Sequence, residues 1–403
     1  MTSPTRTPTP NQRKDRPTCR RSFAPIRRPL LCSLSEHTME GPYSARLPLS
    51  PAGEKSRRAT VFRGAAHERT RIPRSTPPET TPAMNASLSE DFSHRPVMAG
   101  EIVDAFARVP AGWVIDATLG GAGHSTLLLE AHSHLKVLGI DQDPDALAAA
   151  SVRLERFGDR ARVARARFDV LAAVAQTLPD DEPVVGALFD LGVSSPQLDR
   201  AERGFSYRLD APLDMRMDPS QSLSAAIVAN DYDERELARM LREFGDERFA
   251  TRIAHAIVLA RPVTSTAELA ELVRDAIPAP ARRRGGHPAK RTFQAIRIEV
   301  NAELEVLPVA LRAAINTVGV DGCLAVLSYH SGEDRIVKQV LRDAETGGCG
   351  CPTNLPCVCG AVAEIALIRR GGLTPGAEEL AINPRSESAR LRIARKLTEG
   401  ARR

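Results

Sequence analysis

One short segment constrains this chain more than any other. Gly120-Gly-Ala-Gly123-His124 lies between an apolar run ending on Asp116 and a second run ending on Asp141. A Gly-rich turn of that kind joins a buried parallel strand to a helix and lets the backbone come close to a ligand. The flanking sequence agrees with a βαβ unit. Pro110-Ala-Gly-Trp-Val-Ile-Asp116 predicts a strand, Ser125–Ala131 a helix, and Lys136-Val-Leu-Gly-Ile-Asp141 the next strand. Asp143 suits a helix cap with Pro144 in the first turn, and Leu147, Ala150, Leu154 and Phe157 recur at helical spacing behind it. A strand over Ala161–Ala166, a helix through Leu171–Leu178 and a strand Val184-Val-Gly-Ala-Leu-Phe-Asp190 continue the alternation. The expected fold class is α/β, a doubly wound Rossmann-like sheet.

The rhythm then breaks. Residues 223–280 read as helical, with Leu237, Met240, Leu241 and Phe244 on one face of a helix opened by Asp233. Ser265-Thr-Ala-Glu268 has the spacing of a capping box. After a Pro/Arg/Gly loop over Pro278–Lys290, a helix near Leu304–Val318 and a strand Gly322–Ser328 resume the α/β pattern. A helical domain inserted over the carboxyl ends of the strands is therefore expected. The expected divisions are a tail at 1–83, one domain from 84–202 with 301–403, and the insertion at 203–300.

Charge separates the tail from the body. Residues 1–83 hold 16 of the 55 Lys and Arg but only 6 of the 50 Asp and Glu, together with 13 of the 30 prolines, so the tail reads as disordered. Its Arg-rich, acid-poor character fits an organelle transit segment, a weak RNA-binding arm, or an upstream extension of a chain that starts at Met84. No stretch approaches the ~18 apolar residues of a membrane span. Four of the seven cysteines crowd into 349–359, unlike a secreted disulfide framework, and point to a reducing, cytoplasmic setting.

Which nucleotide-like cofactor suits the turn is narrowed by what is missing. A dinucleotide fingerprint needs a third glycine, yet Gly121-Ala-Gly123 runs into His124-Ser125-Thr126. No lysine follows as a phosphate loop requires. Asp141 is placed to grip ribose hydroxyls, and Asp116 suits a cofactor with a positive amino-acid end and no phosphate, as in S-adenosylmethionine. A tight turn with no ligand is the plainer alternative. Asp190 opens Asp190-Leu-Gly-Val-Ser-Ser-Pro-Gln197, whose polar groups Asp190, Ser194, Ser195 and Gln197 lack a core role and can reach cofactor and acceptor; an ordinary loop is the alternative here too.

Seven segments then occur in a telling order: His94-Arg-Pro-Val-Met98, Asp116-Ala-Thr-Leu-Gly-Gly-Ala-Gly-His-Ser125, Asp190-Leu-Gly-Val-Ser-Ser-Pro-Gln-Leu-Asp199, Arg203-Gly-Phe-Ser206, Pro212-Leu-Asp-Met-Arg-Met217, Arg291-Thr-Phe-Gln-Ala-Ile-Arg-Ile-Glu-Val-Asn301 and Ser328-Tyr-His-Ser-Gly-Glu-Asp-Arg335. Over about residues 94–396 the chain resembles the 16S rRNA (cytosine-N4) methyltransferase family of the RsmH/MraW type. The resemblance implies methylation of the exocyclic N4 of a cytidine in the decoding region of 16S rRNA, within the small ribosomal subunit, with S-adenosylmethionine as donor. It implies cofactor contacts at Ala122, Gly123 and His124, at Asp141 toward the ribose, at Phe168 near the adenine, and at Asp190 and Gln197. It also implies an RNA-holding role for the insertion. Gly332 stands where that family usually has leucine, and the tail has no counterpart.

A cytosine amino group is a weak nucleophile, because its lone pair is delocalised into the ring. An acceptor for one N–H helps localise that pair, and a carboxylate such as Asp190 or a nearby carbonyl can serve; Asp190 is the candidate catalytic residue. The acid- or Ser-Pro-Pro-aromatic signature of many N4-methylating enzymes is absent. His330 is read as a structural histidine bonded to Glu333 or Asp334 rather than as a base. Arg282, Arg283, Arg284, Lys290, Arg291 and Arg297 form a basic run suited to phosphate contacts, or to a solvated loop. Cys349, Cys351, Cys357 and Cys359 have a C-x-C-x5-C-x-C spacing that could hold zinc, with inert thiols or a labile disulfide as alternatives. A non-catalytic RNA-binding or ribosome-assembly protein with the same fold is the competing function. The sequence leaves the oligomeric state open, a homodimer included.

Overall fold

The structure, a computed structural model, describes residues 96–283, 286–352 and 358–397. The tail, Met84, His94, Arg95, Arg284 and Cys357 lie outside the described residues.

Seven strands form one sheet in the order β3-β2-β1-β4-β5-β7-β6. The first five are β1 (Gly112–Asp116), β2 (Leu135–Asp141), β3 (Ala161–Arg165), β4 (Val184–Asp190) and β5 (Cys323–Ser328), and they run parallel. Strand β6 (Ile365–Leu367) forms the edge, and β7 (Arg390–Lys396) slots antiparallel between it and β5. The central strands are buried along nearly their whole length, as expected where helices cover both faces. One face packs Trp113, Ile115, Phe189 and Val326 against Leu307, Leu311 and Val337. The other packs Val114, Val137 and Leu188 against Ile102, Phe106 and Leu128.

The order reverses between β1 and β4, since β1 leads to β2 on one side while β4 lies on the other. At that switch point the loops after the two strands part and leave a crevice beyond their carboxyl ends. The acids that end β1, β2 and β4, namely Asp116, Asp141 and Asp190, are all delivered there.

The helical block has a core of its own. The helices Ala225–Asp231, Glu234–Gly245, Ala250–Leu259, Thr266–Ala276 and Lys290–Asn301 bury Val228, Leu237, Met240, Ile253, Ile257, Leu269, Val273, Phe293 and Ile296 together. Asp233 accepts hydrogen bonds from the amides of Arg235 and Glu236, while Glu236 reaches back to the Asp233 amide. The start of Thr266–Ala276 is closed less completely. Ser265 Oγ accepts from the Glu268 amide, but the Glu268 carboxylate turns to the amide and hydroxyl of Thr264, so only half of the expected capping box forms.

Other boundaries differ from the expected ones by a turn or less. The helix after the Gly-rich turn starts at Gly123, and the helix from Pro144 ends at Leu154, with Phe157 in a separate 3-10 segment. Among the described residues, no helix is long and apolar enough to cross a membrane.

Candidate active site

A cleft of about 1130 Å³ opens over the carboxyl ends of β1, β2 and β4 and is closed on its far side by the helical block. Its first wall is the Gly-rich turn. Gly120 takes a positive φ of 50° and its amide donates to Asp141 Oδ2 at 2.8 Å, which ties the turn to the end of β2. The Asp143 amide donates to Asp141 Oδ1 at 2.9 Å. Burial nevertheless dominates, and raises the Asp141 carboxyl to about 6. Asp116 is only 2% exposed and accepts from Ser125 Oγ at 2.6 Å. Burial lifts its pKa as well, against that hydrogen bond.

Close packing explains the glycine at 123. A Cβ there would lie 2.7 Å from Pro96 Cγ, so the first and second sequence motifs meet at this point. Ala122, with φ of 59°, is fully buried behind the turn and does not face the cleft. Gly123, His124, Asp141, Phe168, Asp190 and Gln197 all line it. Phe168 sits edge-on to Phe189, ring centroids 6.1 Å apart, and forms an apolar stretch of the wall.

Asp190, at the end of β4, is the meeting point. Its amide donates to Thr118 Oγ1 at 2.6 Å, its Oδ1 accepts from the Tyr329 hydroxyl at 2.6 Å, and its Oδ2 lies 3.5 Å from His124 Nε2. The His124 ring is buried, and neither of its nitrogens has a hydrogen-bond partner among the described residues. Buried polar atoms are almost always satisfied, and this unsatisfied ring lines the cleft. Tyr329 is the residue that sequence reasoning missed. It follows β5, the neighbour of β4 in the sheet, and lay unused inside the Ser328-Tyr-His motif. Burial and the adjacent Asp190 carboxylate hold its hydroxyl protonated far above the ordinary tyrosine range.

Gln197 is placed differently from a simple ligand contact. Its Nε2 donates to Asp143 Oδ2 at 2.8 Å and its Oε1 accepts from the Ser194 amide at 3.0 Å. Arg203 joins the same carboxylate, with Nη1 2.8 Å from Asp143 Oδ2, and donates from Nη2 to the Arg216 carbonyl. Gln197 thus fastens the loop after β4 to the one after β2, and Arg203 fastens the helical block to both. Asn301 does similar work from the block's last helix, accepting from the Met217 amide and donating to the Met215 carbonyl.

Another part of the lining carries another chemistry. Tyr207 stacks on His287 with ring centroids 4.4 Å apart, and the Arg208 guanidinium lies 5.8 Å from the Tyr207 ring. Lys290 and Arg291 line the cleft nearby and are exposed. The six-residue basic run does not act as one patch. Arg297 is 14% exposed and held in a two-pronged pair with Glu303, both contacts 2.8 Å; burial would suppress its charge, but the carboxylates of Glu303 and Glu333 sustain it. Arg282 donates to the carbonyls of Ile277 and Asp275. Arg291 gives one donor to the Asp246 carbonyl. Arg283 and Lys290 remain at the surface.

His330 caps the helix Ser331–Thr346, its Nδ1 accepting from the amides of Gly332 and Glu333, and its Nε2 lies 3.1 Å from Glu333 Oε1. The ring is thus structural, as expected, but its hydrogen bonds run to backbone amides, and among the described residues Nε2 makes none to a carboxylate. A side chain at Gly332 would meet His330 and Leu304 Cδ1 at 3.1 Å, so a leucine there requires both to give way.

Comparison with known proteins gives a consistent result. Residues 91–397 match the model of the MraW methylase family. A ribosomal RNA small subunit methyltransferase H from Heliobacterium mobile is 48% identical over 312 residues, covering 76% of this chain and 100% of the relative. The protein of the same name from Salinispora tropica is 53% identical over 289 residues, 70% of this chain and 76% of the relative. That from Thermobifida fusca is 48% identical over 330 residues, 80% and 98% respectively.

Proposed function

Because this chain belongs to the MraW methylase family, we propose that it methylates the exocyclic N4 of a cytidine in the decoding region of 16S rRNA, with S-adenosylmethionine as the methyl donor. The observation that carries this reading is that one cleft is lined both by three strand-end acids and by an aromatic ring with surface cations. Asp116, Asp141 and Asp190 face the cleft on one side without an Arg or Lys bonded to any of them, among the described ion pairs. Such a wall repels a pyrophosphate and suits a cofactor that carries an ammonium and a sulfonium. Elsewhere the lining offers Tyr207, stacked from behind on His287, and surface cations, which suit a base and a phosphate backbone.

The residues present fit the donor. Asp141 would take the ribose hydroxyls, Phe168 the adenine face, and Asp116 with His124 the polar end beside the Gly-rich turn. When bound, S-adenosylmethionine supplies an electrophilic methyl carbon on a sulfonium. The protein's contribution is chiefly alignment and a fixed acceptor. Tyr329 occupies Asp190 Oδ1, which leaves Oδ2 to accept one N–H of the cytosine amino group. That bond draws the nitrogen lone pair out of the ring. As the N–C bond formed, the methyl carbon's bond to sulfur would break and leave a neutral thioether, and the proton of the resulting cationic amino nitrogen would pass to Asp190 Oδ2 or onward to water. We assign residues 203–300 to holding the RNA, so that the base enters the cleft unstacked.

The test is to incubate the full chain with labelled S-adenosylmethionine and small ribosomal subunits lacking the modification, then digest the rRNA to nucleosides. Labelled N4-methylcytidine supports the assignment. Label on another nucleoside retains the methyltransferase and overturns the acceptor. Cofactor binding without label favours a non-catalytic role in ribosome assembly.

A further inference from the structure

Outside the cleft, the chain leaves the helix Ser331–Thr346 and loops back to the edge strand β6. The two limbs of this loop are pinned at their base. Gly347 turns the chain with a φ of 61°, and a Cβ there would lie 2.1 Å from the Val362 carbonyl oxygen. The Glu364 amide donates to the Ala344 carbonyl at 2.9 Å, and the Cys349 amide to the Thr346 carbonyl at 3.1 Å. Beyond that base no described residue from 347 to 362 is buried. Described residues that bury so little have little to offset the conformational entropy of being ordered.

What converges inside it is sulfur. The thiols of Cys349, Cys351 and Cys359 all lie within 4.8 Å of one another, and the Cys349 and Cys359 sulfurs are 3.5 Å apart. A disulfide would need about 2.05 Å. Thiolates bound at ~2.3 Å around a tetrahedral zinc ion stand about 3.8 Å from each other. The 3.5 Å pair is far from the first spacing and near the second, and the third thiol lies within reach of the same ion. Cys323 makes the contrast: it is buried in β5, where burial pushes its thiol up to about 12, and it stands apart from the cluster as an inert core residue.

We propose that Cys349, Cys351 and Cys359 are thiolate ligands of a structural zinc-class cation that joins the limb carrying Cys349 and Cys351 to the limb carrying Cys359. Binding exchanges three thiol protons for one divalent ion and leaves the fourth tetrahedral position for a further donor. No electron transfer is involved. Soft thiolates select zinc over magnesium or calcium. The site lies outside the cleft, so its loss loosens this loop without removing a residue that contacts cofactor or base.

The experiment starts from the full chain purified without chelator or added metal, with zinc measured per chain by elemental analysis. About one zinc per chain is expected, released in step with titration of the thiols by a mercurial reagent. Cys349→Ser and Cys351→Ser should each reduce retained zinc to a small fraction, whereas Cys323→Ser should keep it. Cobalt(II) exchanged into the unaltered protein should give thiolate-to-cobalt charge-transfer absorption and the visible bands of a tetrahedral ion, which keeps the test valid if a serine variant fails to fold. Zinc well below one per chain, zinc retained by both serine variants, or octahedral cobalt bands would each overturn the proposal. So would a denatured mass lighter by two hydrogens per cysteine pair, the mark of a disulfide.

Discussion

The Tyr329 hydroxyl donates a 2.6 Å hydrogen bond to Asp190 Oδ1 across 139 residues of sequence. Asp190 ends β4 and Tyr329 follows β5, and the parallel register that pairs Asp190 with Leu327 brings the two side chains together. The tyrosine orients the carboxylate and leaves its second oxygen toward His124 and the cleft.

Tyr329→Phe should therefore lower turnover more than binding. A hydrogen bond to a charged group contributes about 1.5–3 kcal/mol, so kcat should fall by roughly one to two orders of magnitude. The cofactor dissociation constant should change little. Equal losses in both, measured by single-turnover kinetics and calorimetry, would point to general disruption instead.

Asp190→Asn retains the shape of the side chain but removes the acceptor charge. Turnover at saturating cofactor should drop by at least the ~10²-fold typical of a lost general base. Full turnover in this variant would remove Asp190 from the chemistry and leave it a wall residue only.

Asp141 should give cofactor binding a pH dependence. Its carboxyl is raised to about 6 from the ordinary 3.8, so the folded protein holds this proton more tightly than the unfolded chain does. The cofactor-free protein accordingly loses stability as pH rises from about 4 through 6. The ionised carboxylate is the better acceptor for ribose hydroxyls, so affinity should strengthen from about pH 5 to 7 and then level. Asp141→Asn should flatten the profile, as titration calorimetry across that range would show.

Arg203 holds the helical block to the cofactor loops through Asp143, with the two side chains 12% and 2% exposed. Removing one partner of a buried pair costs about 3–5 kcal/mol. Gln197 still donates to Asp143, so the cost of Arg203→Ala should sit near the lower end. Thermal unfolding checks the size. An unchanged midpoint would mean that the block docks by other contacts.

Rather than all six basic residues, Arg283 and Lys290 are the ones to neutralise. Each phosphate contact contributes about 0.9 to the slope of log affinity against log salt on duplex nucleic acid and ~0.7 on a single strand. Arg283→Gln with Lys290→Gln should weaken RNA binding and flatten that slope by between one and two. Binding unchanged at low salt would place the phosphate track elsewhere. Arg297→Gln belongs to a different experiment, since it strands Glu303 and should act on folding.

Local signals in the chain mark the order of strands and helices through β5, the Gly-rich turn, the acids at the ends of β1, β2 and β4, and the run of helices between β4 and β5. These are local properties: periods of two or 3.6 residues, turn chemistry, caps, and an acid placed where a strand leaves the sheet. The antiparallel pair β6 and β7 had no such clear local mark, because an edge strand of three residues carries little periodicity. Only the tertiary structure decided which partners the polar groups take. Arg297 reads like its basic neighbours in sequence, yet it pairs with Glu303, because its helix turns that residue toward the start of the next one. Gln197 reads as a ligand contact, yet its amide closes on Asp143, 54 residues away. Tyr329 acquires its role from a neighbour in the sheet, not in the chain. A side chain's chemistry is fixed by its residue type, but its charge state and bonding follow from burial and from contacts between distant segments, which no local pattern encodes.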